Sequence, residues 1–311
     1  MTEEAALRRP EHSVNMKGQT AMKYEGMVIR PPSEAKSLLL QVTVGCSHNK
    51  CTFCGTYRGE KFRIKSFEEI EEDILEAAAW GPISRVFLCD GDALIVPQRK
   101  LVPILESVNR NIRGLQRIGT YANAKSVLRK TPEELRELRE LGLGIAYLGV
   151  ETGNSELLEK INKGADYDQI LLAGRMLKEA GITLSVTVLL GIGGERKSME
   201  HAKDTARILT EMDPDYVGAL TVMLVPGTPL HDDYRRGLFR LPDTFGFLEE
   251  LRNMIAESDF SNCFFTSNHA SNYIPLRLQL PGDKEKAVRL LTDIIESRDR
   301  HVLRPEFLRG L

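Results

Sequence analysis

Residues Val42–Gly59 read VTVGCSHNKCTFCGTYRG and put three cysteines, Cys46, Cys51 and Cys54, into nine positions with the spacing C-x4-C-x2-C. The segment Ser37–Val44, SLLLQVTV, is apolar and rich in branched side chains, and it reads as a buried strand ending at Gly45. A thiol cluster fixed to the end of a buried strand is positioned by the sheet itself. Five cysteines are an odd number, and Cys89 and Cys263 lie away from the other three. Disulfide frameworks belong to small secreted domains. A chain of 311 residues with 42% hydrophobic and 28% charged side chains has an ordinary globular composition and can bury a sizeable core. Reduced thiols gathered in one loop therefore read as metal ligands.

The rest of the chain repeats one rhythm. KSFEEIEEDILEAAAW reads as a helix whose capping box pairs Ser66 with Glu69 and whose Phe67, Ile70, Ile74 and Leu75 share a face. RVFLCDGD is a second strand, with a helix over Gln98–Arg110 after it. QRIGTYA is a third, followed by TPEELRELRELG, a helix with Thr131 as N-cap, Pro132 at its first position, Glu134 closing the box and Gly142 ending it. GIAYLGVETG, ITLSVTVLLGIGGE and DYVGALTVMLVPGTP are the fourth to sixth strands, with helices from Ser155, over Asp168–Ala180 and over Ser198–Thr210 between them. Such alternation predicts an α/β fold with a parallel sheet and right-handed crossovers. Polar and glycine-rich residues gather where the strands end: Cys46–Cys54, Asp90–Asp92, Tyr121–Asn123, Glu151–Gly153, Gly191–Glu195 and Pro226–Thr228. Ligands of such folds sit at the C-terminal ends of the strands, so the repeated pattern predicts one shared site.

After the sixth strand the rhythm breaks. Thr244–Glu257 and Gly282–Arg300 predict helices, and NCFFTSNHASNYIPL a short strand running into a polar loop. The expected division is an N-terminal extension over 1–36, partly flexible, a core over 37–240 and a C-terminal extension over 241–311 that packs on the core and closes the substrate side. The net charge of −2 announces no overall basic field for nucleic acid or anionic membrane. No apolar run approaches the roughly 18 residues of a membrane span, and the first residues lack the apolar stretch of a secretory signal. A cytoplasmic protein is expected.

Structural zinc takes four ligands, often from two separated C-x2-C pairs, and this chain has one such pair. His48 would be a cramped fourth ligand inside the same loop, and Cys89 or Cys263 would have to reach it across the fold. A [4Fe–4S] cubane held by three thiolates keeps its fourth iron open to a substrate or cofactor.

A three-cysteine loop directly after a first strand, an aromatic residue (Phe53) before the last cysteine, and six βα units resemble the radical S-adenosylmethionine (radical SAM) superfamily. The usual spacing there is C-x3-C-x2-C, and this chain has one extra residue between Cys46 and Cys51. ELLEKINKG after Glu151 resembles the branch containing the elongator catalytic subunit, coproporphyrinogen dehydrogenase and the methylthiotransferases. The resemblance implies a partial (βα)6 TIM-like barrel with a short C-terminal extension, a [4Fe–4S] cluster on Cys46, Cys51 and Cys54, and S-adenosylmethionine (SAM) on its open iron. It further implies that Gly91 and Asp92, in CDGDAL, hold the methionyl amino group. The aspartate there replaces the usual glutamate and keeps the carboxylate an ammonium needs. Glu151 would contact the ribose and Ser185 the ribose or carboxylate, Gly191, Ile192 and Gly193 would pack against adenine, and Phe53, just before the last cysteine, would be a further cofactor contact. The implied reaction is reductive cleavage of SAM to a 5′-deoxyadenosyl radical that takes hydrogen from a substrate, with an electron donor such as flavodoxin or ferredoxin.

Tyr57, Tyr121, Asn123, His269, Asn272 and Tyr273 are candidates for the substrate side, the last three from the polar stretch TSNHASNY. Each has a structural alternative in holding its own loop, and Cys89 and Cys263 read as buried core residues. Two scattered cysteines cannot easily carry a second three-thiolate cluster, which disfavours methylthiotransferases. A cobalamin-type domain is likewise not expected before Cys46. The leading expectation is a radical SAM enzyme acting on a small molecule or a cofactor precursor. An RNA-modifying enzyme would need basic surface at the barrel mouth, where Arg235, Arg236 and Arg240 offer a hint. A non-catalytic iron–sulfur or zinc binding module is the third reading.

Overall fold

The computed structural model describes residues 22–310, so residues 1–21 of the expected N-terminal extension lie outside the described residues. The chain runs β1 (Leu38–Gln41), β2 (Thr43–Val44), β3 (Arg63–Ile64), α1 (Phe67–Ala78), β4 (Arg85–Cys89), α2 (Gln98–Asn111), β5 (Arg117–Ala122), α3 (Ala124–Val127), α4 (Pro132–Glu140) and β6 (Leu143–Glu151). It continues through α5 (Ser155–Lys160), α6 (Tyr167–Glu179), β7 (Thr183–Leu190), α7 (Gly194–Met212), β8 (Tyr216–Thr221), α8 (Pro229–Arg235), α9 (Thr244–Glu257), β9 (Cys263–Thr266), β10 (Arg277–Leu280) and α10 (Lys284–Ser297). Eight strands form one open sheet in the order β1-β4-β5-β6-β7-β8-β9-β10. All neighbours are parallel except the last pair, β9 and β10.

The sheet separates two apolar layers. Leu40, Val86, Leu88, Ile118, Leu148, Leu184 and Val186 face the helices in the main core. Phe87, Cys89, Ile145 and Tyr147 form an inner cluster, with Val28, Leu39 and Tyr121 packed against it. Register builds the inner face in tiers: Cys89 stands beside Gln41, Tyr121 beside Tyr147, Tyr147 beside Ser185, and Gly149 beside Thr187, which stands beside Gly218. Each strand therefore alternates between helix-facing and interior-facing side chains.

Helix signals are realised where they were read. The capping boxes at Ser66 and Thr131 both close, and α9 spans the expected residues. Leu75 does not join the buried face of α1 but is 53% exposed, and Asp73 is buried instead. Ser37–Val44 is not one strand. The Val42 N–H still donates to Cys89 O, at 2.5 Å, whereas its carbonyl accepts from Lys65 N, at 3.0 Å. The chain thus leaves the main sheet at Val42, and β2 pairs antiparallel with β3. β9 and β10 of the C-terminal extension prolong the sheet beyond the sixth βα unit. The short helices α3 and α8 were not read from sequence, since four and seven residues carry too little periodicity.

Lys65 follows β3 and anchors the base of the cysteine loop. Its Nζ donates to Asp73 Oδ2 at 2.9 Å and to Lys23 O at 3.1 Å, and both members of the ion pair are at most 2% exposed. Removing one member of such a pair leaves an uncompensated buried charge. Asp73→Ala is expected to lower unfolding free energy by roughly 3–5 kcal/mol, read from denaturant titration. A loss under about 1 kcal/mol would mean that Lys65 is held by other groups.

Candidate active site

The β2–β3 ribbon projects the cysteine loop over the C-terminal ends of the parallel strands. Thr52 N donates to Ile161 O at 2.9 Å and Leu230 N donates to Thr52 O at 3.0 Å, clamping the loop between the end of α5 and the start of α8. His48 faces Asn162 O through Nε2 at 2.7 Å. A carbonyl only accepts, so that nitrogen carries hydrogen and is not free to ligate a metal. Asn49 Nδ2 donates to Tyr57 O at 2.8 Å, Tyr57 OH donates to Asp90 Oδ1, and Arg58 Nε donates to Cys54 O at 3.1 Å. Tyr57 is buried in these contacts. The structure therefore gives it the loop-holding role and not an open substrate-facing one.

Cys46, Cys51 and Cys54 are free and half-buried, whereas Cys89 and Cys263 are fully buried. Burial pushes the Cys46 thiol up and the Cys51 thiol up to about 11, and each of the two also feels the charge of Cys54. Among the described residues no three His, Cys, Asp or Glu side chains are gathered as ligands of a single ion. A cubane places each thiolate on a different iron, so its ligands stand farther apart than those of one zinc. Three half-buried thiols on one clamped loop fit the cluster better than zinc.

The turn after β4 meets this loop. A side chain at Gly91 would lie 2.7 Å from the Tyr57 ring and 3.0 Å from Cys46 Cβ, so glycine is what permits the approach. Asp92 is fully buried. Its Oδ2 accepts from Ser47 Oγ and Ser126 Oγ, while Oδ1 has no hydrogen-bond partner. Burial pushes its carboxyl up to about 6, against the lowering effect of the two serines. An unpartnered buried acceptor is costly, and an ammonium donor would satisfy it.

Glu151 ends β6 with φ +63°, after a register shift between Gly149 and Glu151. Left-handed backbone at a non-glycine residue costs about 1–3 kcal/mol and clusters at functional sites. Its Oε1 accepts from Lys163 Nζ at 2.7 Å. Burial works against the Lys163 charge, but Glu151 and the Cys51 thiol more than offset it, and its pKa is raised. The pair lies over Gly149, whose added side chain would sit 2.4 Å from Glu151 Oε1 and 2.8 Å from Lys163 Nζ. Sequence reasoning did not single out Lys163, because a lysine before glycine reads as an ordinary helix end.

After β7, Gly191 has φ +82° and its N–H donates to Glu250 Oε1 at 2.5 Å. Ile192 shares an apolar cluster with Val222 and Leu230, against which Phe53 packs. Residues far apart in sequence thus line one wall beside the cysteine loop. Gly193 lies 2.9 Å, from its missing Cβ, to Lys197 O. Ser185 lies on the interior face beside Tyr147. Tyr121 packs edge-on against Phe87, with ring centroids 5.0 Å apart.

Other candidates are tied into the fold. Asn123 caps α3 by accepting from Lys125 N at 3.0 Å. Asn272 is buried and makes three internal hydrogen bonds, to Thr221 Oγ1, Ala219 O and Ser267 O. Tyr273 OH donates to Glu306 Oε2 and accepts from Arg309 Nη1. His269 Nδ1 is shared between the hydroxyl and the amide of Ser271. The polar stretch is thus a hydrogen-bonded plug joining the end of β8 to the C-terminal tail. Arg236 pairs with Asp233, which blunts the basic hint at the barrel mouth.

Comparison with known proteins agrees with this geometry. The heme chaperone HemW of Bacillus subtilis is 22% identical over 162 residues, 51% of this chain and 42% of that protein. An uncharacterized protein of Methanocaldococcus jannaschii is 27% identical over 235 residues, covering 70% of this chain and 71% of its own. Among solved structures, methylornithine synthase matches with a TM-score of 0.51 at 24% identity, over 72% of this chain and 63% of that one. Coproporphyrinogen III oxidase of Escherichia coli matches with a TM-score of 0.53 at 17% identity, over 71% of this chain and 51% of that one. These structural likenesses show a shared fold. The chain spans less than half the length of the heme chaperone. A family model described as the Radical SAM superfamily matches residues 40–209, from the first strand through the three-cysteine loop and on into α7. With over half its length so matched, this chain belongs to the radical SAM superfamily, whose enzymes use a [4Fe–4S] cluster and S-adenosylmethionine.

Proposed function

We propose that this enzyme holds its [4Fe–4S] cluster through Cys46, Cys51 and Cys54, binds SAM across the strand ends, and acts on a small molecule or cofactor precursor in the barrel interior. The observation that carries the reading is the buried, unpartnered Oδ1 of Asp92 beside the cysteine loop. It is an acceptor without a donor, and the methionyl ammonium of SAM supplies one. When bound, the cluster and SAM supply a one-electron cleavage that generates the hydrogen-abstracting species, with the electron from a flavodoxin- or ferredoxin-like donor.

The chain's own residues position and shield. Glu151, turned inward by its left-handed backbone, accepts from the ribose hydroxyls while Lys163 offsets the negative charge of the loop. Gly191, Ile192 and Gly193 form the adenine wall, with Phe53 packed into the same apolar cluster. Ser185, on the interior face beside Tyr147, is a further ribose or carboxylate contact, and Tyr121 remains as an interior polar side chain for the substrate. Val222 and Leu230 extend the apolar wall and exclude water beside the loop.

Anaerobic reconstitution with iron and sulfide is expected to load roughly four irons per chain, and reduction in the presence of SAM to yield 5′-deoxyadenosine. Cys46→Ala should reduce that yield by at least about 100-fold, since a cluster left with two of its three ligands is not retained. Cleavage by the variant at the wild-type rate would sink the assignment.

Asp92 gives a second test, with opposite signs for stability and binding. Its folded-state pKa of about 6 lies above the ordinary aspartate value. The native state therefore holds the proton more tightly than the unfolded chain does, and the side chain carries no penalty below about pH 4. The penalty grows as pH rises through about 6, to roughly 3 kcal/mol. Asp92→Asn is thus expected to stabilise the apoprotein at pH 8 more than at pH 5, in denaturant titrations at the two values. The same variant should weaken SAM binding by roughly 10- to 100-fold through loss of a charge-assisted hydrogen bond.

A further inference from the structure

We infer that Glu250, on α9 in the C-terminal extension, is the positioning residue for the Gly191–Gly193 turn and thereby for the adenosine end of the cofactor. The inference rests on the reading of that turn given above.

β7 ends at Leu190, and Gly191 turns away with φ +82°, so its N–H has no strand partner. Glu250 Oε1 takes that N–H at 2.5 Å, and Oε2 takes the hydroxyl of Ser198 on α7. His201 Nε2 lies 3.3 Å from Glu250 Oε1 and 3.0 Å from Leu189 O. Because Leu189 O only accepts, Nε2 carries its one hydrogen toward that carbonyl, and the carboxyl group has two donors, Gly191 N and Ser198 Oγ. On the other side of the ring, Nδ1 faces Thr152 Oγ1 at 2.8 Å and Thr205 Oγ1 at 3.2 Å. Thr152 directly follows Glu151, and Thr205 Oγ1 in turn accepts from Gly153 N at 3.1 Å. Glu250, His201, Thr152 and Thr205 are all 0% exposed.

One buried hydrogen-bond chain therefore joins the end of β6, where the ribose contact is proposed, to the end of β7, where the adenine contact is proposed. It passes through His201 on α7, and Glu250 of α9, which lies outside the six βα units, stands 3.3 Å from the same ring and holds the Gly191 amide. α9 fixes the turn a second time, because the Phe247 ring fills the place of a side chain at Gly191, 2.2 Å from the missing Cβ. An apolar residue at 250 would fill the space without the cost of burying a carboxyl group. The carboxyl adds direction: it takes up an amide that the sheet leaves unpaired and sets where that turn stands.

Three variants of the full-length protein separate direction from packing. Glu250→Gln keeps an acceptor oxygen at the same reach, Glu250→Asp withdraws it by one methylene, and Glu250→Leu removes it. Reconstituted holoenzymes are titrated with SAM by calorimetry, iron is counted, and hydrogen exchange of the Gly191 amide is followed in the apoproteins. The Leu variant should lose at least tenfold in SAM affinity and lose Gly191 protection, with iron content unchanged and KM for SAM raised more than kcat falls. The Asp variant should fall between it and the wild type, and Gln should recover most of the affinity. Wild-type SAM affinity in the Asp variant, or Gln no better than Asp, would overturn the inference. If the Leu variant does not fold, the Gln and Asp pair still decides. A wild-type protein that loads iron but binds no SAM refutes the functional reading instead, and the apoprotein exchange data then judge the Glu250–Gly191 contact by itself.

Discussion

Two hydrogen bonds of one residue govern this architecture. Val42 gives its N–H to Cys89 in the main sheet and its carbonyl to Lys65 in the small ribbon. The chain is thereby turned out of the sheet at the top of its first strand and must cross over the neighbouring strand ends before it returns. The cysteine loop is what crosses. Since parallel connections bring every βα turn to that same edge, the loop cannot avoid the turns after β4, β6 and β7. The buried Lys65–Asp73 pair on the return path makes the exit geometry costly to change.

The site is built from groups that the fold leaves unsatisfied or strained. Asp92 keeps one acceptor without a donor, and Glu151 holds a conformation that its side chain disfavours. Neither feature helps the apoprotein to fold. Under the function proposed above, a cationic and hydroxyl-bearing cofactor would supply the partners that these two residues lack in the apoprotein.

The parallel sheet was legible in the sequence because each unit carried its own punctuation: a buried apolar strand, a glycine or polar turn, then a capped helix. Thr131-Pro132 and Ser66 marked their helix starts to the residue. The cysteines, Asp92 and Glu151 could be singled out as candidates because unusual residues stood at strand ends. Partnerships across the chain were not legible. Lys163 and Glu250 look like surface charges, and only the fold reveals that they close on strand ends 12 and 59 residues away. Asn272 and Tyr273 are a different case. A run of polar residues reads the same whether it awaits a ligand or is already satisfied by its neighbours, and here the neighbours satisfy it. β9 was legible as the short strand in NCFFT, whereas β10 was obscured because a strand that prolongs a sheet outside the βα rhythm has no periodic context.

The inner face of the sheet is unevenly furnished. Around β1, β4 and β5 it carries Leu39, Phe87 and Tyr121, and Val28 from the chain before β1 packs into that half. On β7 and β8, Thr187 stands beside Gly218, where an added side chain would meet no described atom closer than 3.8 Å. The protein furnishes one half of its interior with its own aromatics and keeps the other half narrow-walled. The inner face thus carries a hydroxyl beside a glycine at this tier, with Leu220 3.8 Å from where a Gly218 side chain would begin, and ring edges on the opposite flank. Side-chain bulk therefore falls in a gradient across the inner face of the sheet, from the aromatic side at β4 and β5 to the glycine at β8.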